Sequence, residues 1–412
     1  MKNDKFKTDT GPKNNRPMRV SLLQNTLSPY RIPLFEKISK HPGVDFKLFL
    51  MADEKPSYPQ WKWDYARLPF RAELVPGIRI KLPQKNQICI NPTLLLRLIH
   101  ERPDIVFCCG FTLSTLWAFL YKIITGKSCV IWTEATEWTE RFRGFNTLRT
   151  IIRRIFARAA DGFIEAGVLS KKYVENLLPQ NNQKIFTRSY NAIDAEKFAS
   201  DIRRFINDDL KFSSFRKRFP ERNILFSGRL VENKGLRQMI EVYERVLELT
   251  KENIGLIILG QGGMRSYLEE VKKEKRLDHL YLEGFRGPED YYRYFAIADL
   301  FILLSHSDCN PLVIFEALTA GLPIVCTRYA GNAPDFIYDG YNGYIVDPFD
   351  VDDVASKIIE ILNKSDLPLM GAYSLAIGQK ANYSDSALAF VRIAEKITGI
   401  RCSKIEENGD DC

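Results

Sequence analysis

The chain has 412 residues, 45% hydrophobic and 27% charged, a length that suits two domains of about 150 to 200 residues each rather than one core. Its formal charge of +8 fits nucleic acid, an anionic membrane or a phosphorylated substrate without choosing among them. The longest apolar runs, such as 111–121, stop short of the roughly 20 residues a spanning helix needs. The eight cysteines lack metal-ligand spacing, so no metal site is expected, and free thiols in a reducing cytosol are.

Residues 1–16 are polar and lysine-rich with no apolar segment behind them, and are expected to form a disordered tail rather than a targeting signal. The run 18–24 (MRVSLLQ) reads as a strand, 32–39 has helical spacing, and 44–51 is the next strand. Strand-like runs at 104–109 (DIVFCC), 128–133 (SCVIWT) and 162–165 continue the series, separated by helical stretches such as 92–100. A polar and charged stretch at 196–222 is expected to be a linker. The alternation then restarts with strands at 223–227, 255–259, 280–283, 300–304 and 323–326. A last helix over 384–397 has Ser384 as its expected N-cap. Short apolar strands alternating with helices predict parallel sheets covered on both faces. The expected organisation is therefore α/β, with a Rossmann-like N-terminal domain at 17–195 and a second at 223–380. A C-terminal helix at 381–400 is expected to cross back to the first domain. Two such sheets leave a cleft outside the carboxyl ends of their strands, where ligands of this class bind.

Directly after the first strand of the second domain stands Ser227-Gly228-Arg229-Leu230-Val231-Glu232-Asn233-Lys234-Gly235. A glycine admits close backbone approach, and Arg229 and Lys234 offer a fork and a point charge to a diphosphate; the alternative is a turn with solvated basic residues. The Gly260-Gln261-Gly262-Gly263 loop and the 282–287 segment (LEGFRG), with Phe285 and Arg286, follow the next two strands. In 305–321 (SHSDCNPLVIFEALTAG) a polar turn carries Asp308 and Asn310, and a helix is expected to begin near Pro311, running through Leu312 and Val313 to Glu316. Its unpaired first N–H groups suit an anion, and Asp308 and Glu316 suit sugar hydroxyls. Otherwise, Asp308 caps the helix and Glu316 is a surface acid. His306 is read as a loop contact rather than a base.

The order GRL-x₃-KG, Gly-x-Gly, acid-x₇-Glu, then ALTAGLPIV and GNAPDFIYDGYNGYIVDP resembles the family-4 retaining glycosyltransferases of the GT-B fold. LLQNTLSPYRIPLFEKI near the N-terminus resembles bacterial polysaccharide and lipopolysaccharide members, and Asn191-Ala192-Ile193-Asp194 resembles the element closing their N-terminal domain. The resemblance implies that Arg229 and Lys234 bind the donor diphosphate and neutralise its leaving charge without a bound metal. It implies that Glu316 holds the ribose and that Asp308 stands near the donor sugar, where the family usually has glutamate. The donor contacts implied are Gly228, Arg229, Lys234, Gly260, Gly262, Phe285, Arg286, Asp308, Asn310, Leu312, Val313 and Glu316. Arg229, Lys234, Asp308 and Glu134 carry the chemistry. Glu134 takes the place where the family commonly has a histidine. Ser28, Tyr30 and Arg31 join Glu134 on the acceptor side, Arg31 meeting an acceptor phosphate or pairing with a carboxylate.

The expected activity is retaining transfer of a sugar from a UDP-, GDP- or ADP-sugar to a hydroxyl of a glycan or lipid-linked glycan in cell-surface polysaccharide synthesis. The nucleotide sugar is a co-substrate, and no cofactor is expected. The alternatives are a non-catalytic nucleotide-sugar-binding partner subunit and a sugar-nucleotide epimerase. A dehydrogenase is disfavoured because loop 25–31 lacks the dinucleotide glycines. The stretch 141–158 (RFRGFNTLRTIIRRIFAR) sets six arginines against an apolar stripe. It suits an anionic inner-leaflet surface, or a helix packed on its domain with a solvated arginine face. The expected location is cytoplasmic, peripheral on the inner face of the cytoplasmic membrane if the first reading holds. Nucleic acid is not an expected partner, because exposed aromatic readers are not evident.

Overall fold

The computed structural model describes residues 16–53, 63–82, 86–142, 147–363 and 366–402, so the expected 1–16 tail lies outside the described residues but for Arg16. The first half of the chain forms β1 (Met18–Gln24), β2 (Val44–Leu50), β3 (Arg71–Leu74), a hairpin of β4 (Ile78–Leu82) and β5 (Asn86–Ile90), then β6 (Ile105–Cys109), β7 (Ser128–Thr133), β8 (Gly162–Glu165) and β9 (Ile185–Arg188). Apart from the antiparallel hairpin they make one parallel sheet in the order β3-β2-β1-β6-β7-β8-β9. The second sheet holds β10 (Arg222–Ser227), β11 (Ile254–Leu259), β12 (Leu280–Gly284), β13 (Leu300–Leu303), β14 (Ile324–Thr327) and β15 (Gly343–Val346). It is parallel in the order β12-β11-β10-β13-β14-β15.

Central strands such as β11, IGLIIL, are buried along their whole length because helices cover both faces. That is why they read as continuous apolar runs. The apolar pattern does not reveal the β4–β5 hairpin, the short, mostly buried edge strand β15 (GYIV), or the two edges of the first sheet, β3 (RAEL) and β9 (IFTR), whose residues are at most partly buried. With half their surface wet, β3 and β9 need no unbroken apolar run.

The stretch 196–222 is not a linker. It forms helices Ala195–Ile206 and Asp209–Arg216, N-capped by the side chains of Asp194 and Asp208. Its many charges face water, while Ile202 and Phe219 are buried in the core of the second domain and Phe205 stacks edge-on against Tyr292. An apolar stripe at 198, 202 and 205 is the helical signal hidden beneath that charge.

The final helix, Tyr383–Thr398, leaves the second domain and lies on the first. Its Phe390 meets Phe107 and Trp132, both with ring centroids at 5.1 Å, and Ala387, Ile393 and Ala394 share that core. Its N-cap is Asn382, whose side chain accepts from the Asp385 N–H at 2.8 Å, rather than Ser384. Asn and Ser are comparable caps, and the earlier of two candidates wins when the chain turns there.

Candidate active site

In each sheet the chain order reverses once, between β1 and β6 and between β10 and β13, and these switch points open a crevice at the carboxyl ends of the strands. At the second-domain switch point, three strand-end loops are knit together through their backbones. Gly228 N–H donates to Leu259 O at 3.0 Å, Leu230 N–H to Gln261 O at 2.9 Å, and Gly260 N–H to Gly284 O at 2.8 Å. The glycines are what permits this. A Cβ on Gly260 would stand 1.8 Å from Gly228 O, and one on Gly262 would stand 2.2 Å from Leu230 O. Gly235, in the left-handed region at φ 67°, likewise lets its turn pass the end of β13, where a Cβ would meet Leu304 O at 2.0 Å.

That turn delivers Lys234 to Asp308, and the two form an ion pair with side chains 13% and 18% exposed. Asp308 is fixed by its own backbone, its N–H donating to Tyr329 O at 3.3 Å and its carbonyl accepting from Gly331 N–H at 2.9 Å. It is not a helix cap. The helix runs Val313–Thr319 with Leu312 at the N-cap, two residues later than the expected start at Pro311. Arg229 is exposed on the same turn as Lys234.

Glu316, in the first turn of that helix, is not a surface acid. Its Oε2 accepts from the Tyr291 hydroxyl at 2.6 Å, and Tyr291 is bonded in turn to the Ser227 hydroxyl at 2.9 Å. Burial pushes the Glu316 carboxyl up to about 7, and the tyrosine hydrogen bond offsets only part of that. Tyr291 and Ser227 escape sequence reasoning: a tyrosine in PEDYYRYF carries no motif, and its partner is the serine that ends β10, 64 residues away. Asn310 is 7% exposed, with both amide atoms unpartnered. Leu312 and Val313 are half-buried beside it. Phe285 stands 68% exposed beyond β12, while Arg286 is held by Glu283 at 2.7 Å and lies over the Tyr294 ring.

The first-domain switch point carries a second charged cluster. The Arg31 guanidinium lies 4.2 Å from the Trp132 ring centroid, donates to Cys109 Sγ at 3.3 Å, and pairs with Glu134 Oε1 at 2.5 Å. Asn191 Nδ2 donates to the same Glu134 oxygen at 3.1 Å. Of the two readings of Arg31, pairing with a carboxylate is the one present, and that carboxylate is Glu134. Ser28 is buried, its carbonyl accepting from Arg31 N–H at 3.0 Å, and Tyr30 is half-buried beside them.

The two clusters adjoin. The loop after β7 that starts with Glu134 brings Thr136 Cγ2 to 3.2 Å from where a Cβ on Gly331 would stand, and Gly331 is the residue bonded to the Asp308 carbonyl. Trp138 meets Tyr329 edge-on at 4.9 Å. A cation and a carboxylate from each domain thus line one cleft. Such an arrangement offers a cation, Lys234, to an anion, carboxylates at Asp308 and Glu316 to hydroxyls, and a second charged pair, Arg31 and Glu134, across the cleft.

Residues 207–373 match the family described as Glycosyl transferases group 1. An uncharacterized glycosyltransferase of Methanocaldococcus jannaschii is 29% identical over 187 residues, covering 45% of this chain and 46% of the relative. The capsular polysaccharide biosynthesis glycosyltransferase CapM of Staphylococcus aureus is 22% identical over 302 residues, covering 69% of this chain and 76% of CapM. Across the first three curated relatives the matched stretches span 46, 62 and 63% of their lengths. The crystal structure of Anabaena HepE in complex with UDP superposes with a TM-score of 0.69 at 17% identity, over 93% of this chain and 100% of that one. That likeness carries the fold, two Rossmann-like domains of the GT-B type.

Proposed function

We propose that this chain, a group 1 glycosyltransferase by family and of the GT-B type by fold, transfers a sugar from a nucleoside diphosphate sugar to a hydroxyl of a glycan or lipid-linked glycan. The observation that carries this is the packing of the loop that starts with Glu134 on Gly331 and Tyr329 beside Asp308, which sets the Arg31–Glu134 and Lys234–Asp308 pairs on one cleft. Lys234 and Arg229 hold the diphosphate and stabilise the charge that develops on it as it leaves. Glu316, positioned by Tyr291, takes the ribose hydroxyls, and Asp308 takes the sugar. Glu134 and Arg31 face the acceptor, and the leaving phosphate accepts its proton, so the anomeric configuration is retained. UDP is the first nucleotide to try, because HepE was crystallised with it.

Calorimetric titration of UDP, GDP and ADP tests the donor site. The wild type is expected to bind one of them, and Arg229→Ala/Lys234→Ala to lose at least about tenfold in affinity, as two charge-assisted contacts would imply. Asp308→Asn removes the competing partner of Lys234, so it is expected to keep the nucleotide while losing sugar transfer. A folded wild type that binds none of the three sinks the reading.

The docking surface proposed with it is an anionic membrane face, through helix Thr147–Ala159. Its Arg153 points inward, paired with Glu140 at 2.5 Å and donating to the Tyr173 hydroxyl at 2.6 Å. Leu148, Ile151, Ile152 and Ile155 are exposed, as are Arg154 and Arg158. The helix does pack on its domain, through Phe156 and Ala157, and leaves Arg154 and Arg158 solvated, but it turns Arg153 inward and leaves four aliphatic residues facing out. Residues 143–146 of the basic segment lie outside the described residues. Among the described residues no helix is long and apolar enough to cross a membrane. A peripheral position on the inner, anionic leaflet is proposed for this face.

A further inference from the structure

Asp335 lies in the one-turn helix Ala333–Phe336 that follows β14, on the second domain, and its side chain is 1% exposed. Every side-chain hydrogen bond it accepts comes from the first domain. Val168 N–H donates to its Oδ2 at 3.0 Å, and the Tyr190 hydroxyl and the Arg188 guanidinium donate to its Oδ1 at 2.9 and 3.1 Å. Arg188 also reaches Glu165 at 3.4 Å, so one cation is shared between the domains. The first domain is shaped to receive this carboxylate. A Cβ on Gly167 would stand 2.6 Å from Asp335 Oδ2, so any other residue there would push the acid away from the Val168 N–H.

Both ends of this contact lead to the cleft. On the second domain, just ahead of Asp335, Gly331 N–H donates to the Asp308 carbonyl and Tyr329 O accepts from the Asp308 N–H, which sets Ala330 in parallel register with Asp308. On the first, the strap 188–191 carries Arg188 and Tyr190 to Asp335 and Asn191 to Glu134. We infer that Asp335 is a positioning residue that clamps the two domains together and thereby sets where Glu134 stands relative to Asp308. Its side chain is engaged by Val168, Arg188 and Tyr190 rather than by the residues of the donor or acceptor site. A clamp of this kind matters for catalysis only under the transferase reading above, whereas its hold on domain arrangement does not depend on that reading.

Two variants attack the contact from opposite sides: Asp335→Ala from the second domain and Gly167→Ala from the first. Small-angle scattering of the full chain reads domain arrangement without a ligand, and the radius of gyration is expected to rise in both, with Asp335→Asn between them and wild type. UDP-, GDP- and ADP-glucose are then offered as donors. With whichever the wild type turns over, kcat is expected to fall about 10- to 100-fold in both variants, the cost of misplacing reacting groups by about an ångström, while donor KM stays within about twofold. Scattering curves that superpose on wild type in both variants overturn the clamp. Loss of donor affinity with the domains still together also overturns it, because Asp335 would then belong to the donor pocket. A wild type that turns over none of the three counts against the transferase reading, and the scattering alone then decides the clamp.

Discussion

Asp308 and Glu316 stand eight positions apart and are held by opposite means. Asp308 has a cation, Lys234, whereas Glu316 has the neutral hydroxyl of Tyr291 and an enclosing wall. A carboxyl raised to about 7 from an ordinary 4.5 binds its proton more tightly folded than unfolded. The sign follows from that difference: its contribution to stability is fully present below about 4.5 and is lost as pH rises through about 7. Glu316→Gln is therefore expected to flatten the dependence of Tm on pH across that window, read by thermal melts of the apo protein. Tyr291→Phe removes the hydrogen bond that favours the ionised acid. It is expected to move the midpoint of the melt profile to higher pH and to weaken nucleotide binding several-fold, as loss of one hydrogen bond to a charged group implies. An unchanged profile in both variants would mean that Glu316 is not the titrating group. The spacing of the two acids is legible in the sequence. That one is tied to a cation and the other to a phenol is not, because Lys234 is 74 residues from Asp308 and Tyr291 is 25 from Glu316.

At the scale of elements, helix Thr147–Ala159 shows why periodicity alone misleads. Its sequence has an apolar stripe and a basic face, and the ordinary expectation is that the stripe packs inward. Here Phe156 and Ala157 pack on the core, Glu140, Tyr173 and the Phe111 ring receive Arg153 beside them, and the other four aliphatic residues face out. Sedimentation with vesicles is expected to carry the wild type down with phosphatidylglycerol-containing membranes and to leave it in the supernatant with neutral phosphatidylcholine. Ile151→Asp/Ile155→Asp is expected to abolish binding to the phosphatidylglycerol-containing membranes while leaving nucleotide affinity intact, since burial of apolar side chains and attraction to anionic lipid act together. Equal sedimentation of variant and wild type would remove this face from consideration. The helices at 195–216 teach the complementary lesson: a charged stretch reads as a linker until its apolar stripe finds the aromatic surface of the second domain.

At the scale of the whole molecule, the final helix and the Asp335 contact join the halves by different chemistry. Phe390 is 1% exposed in the first domain's core, so the C-terminal end of the chain completes the N-terminal domain. Phe390→Ala is expected to cost that domain about 3 to 5 kcal/mol. Calorimetry should show an earlier transition for the first domain, with nucleotide affinity of the second unchanged; a single transition that shifts as a whole would mean the halves unfold as one unit.

The sequence by itself determined the two parallel sheets, the positions of their central strands, the loops that bear Lys234 and Asp308, and the helix that bears Glu316. Those features rest on local rules: an apolar run buried on both faces, a glycine where backbones touch, an acid in the first turn of a helix. The tertiary structure alone decided the pairing of Arg31 with Glu134, the inward turn of Arg153 and the hold of Asp335 on Val168, which is 167 residues away. Each of these depends on which buried polar group lacks a partner nearby, and that is a property of the packed domains rather than of any segment.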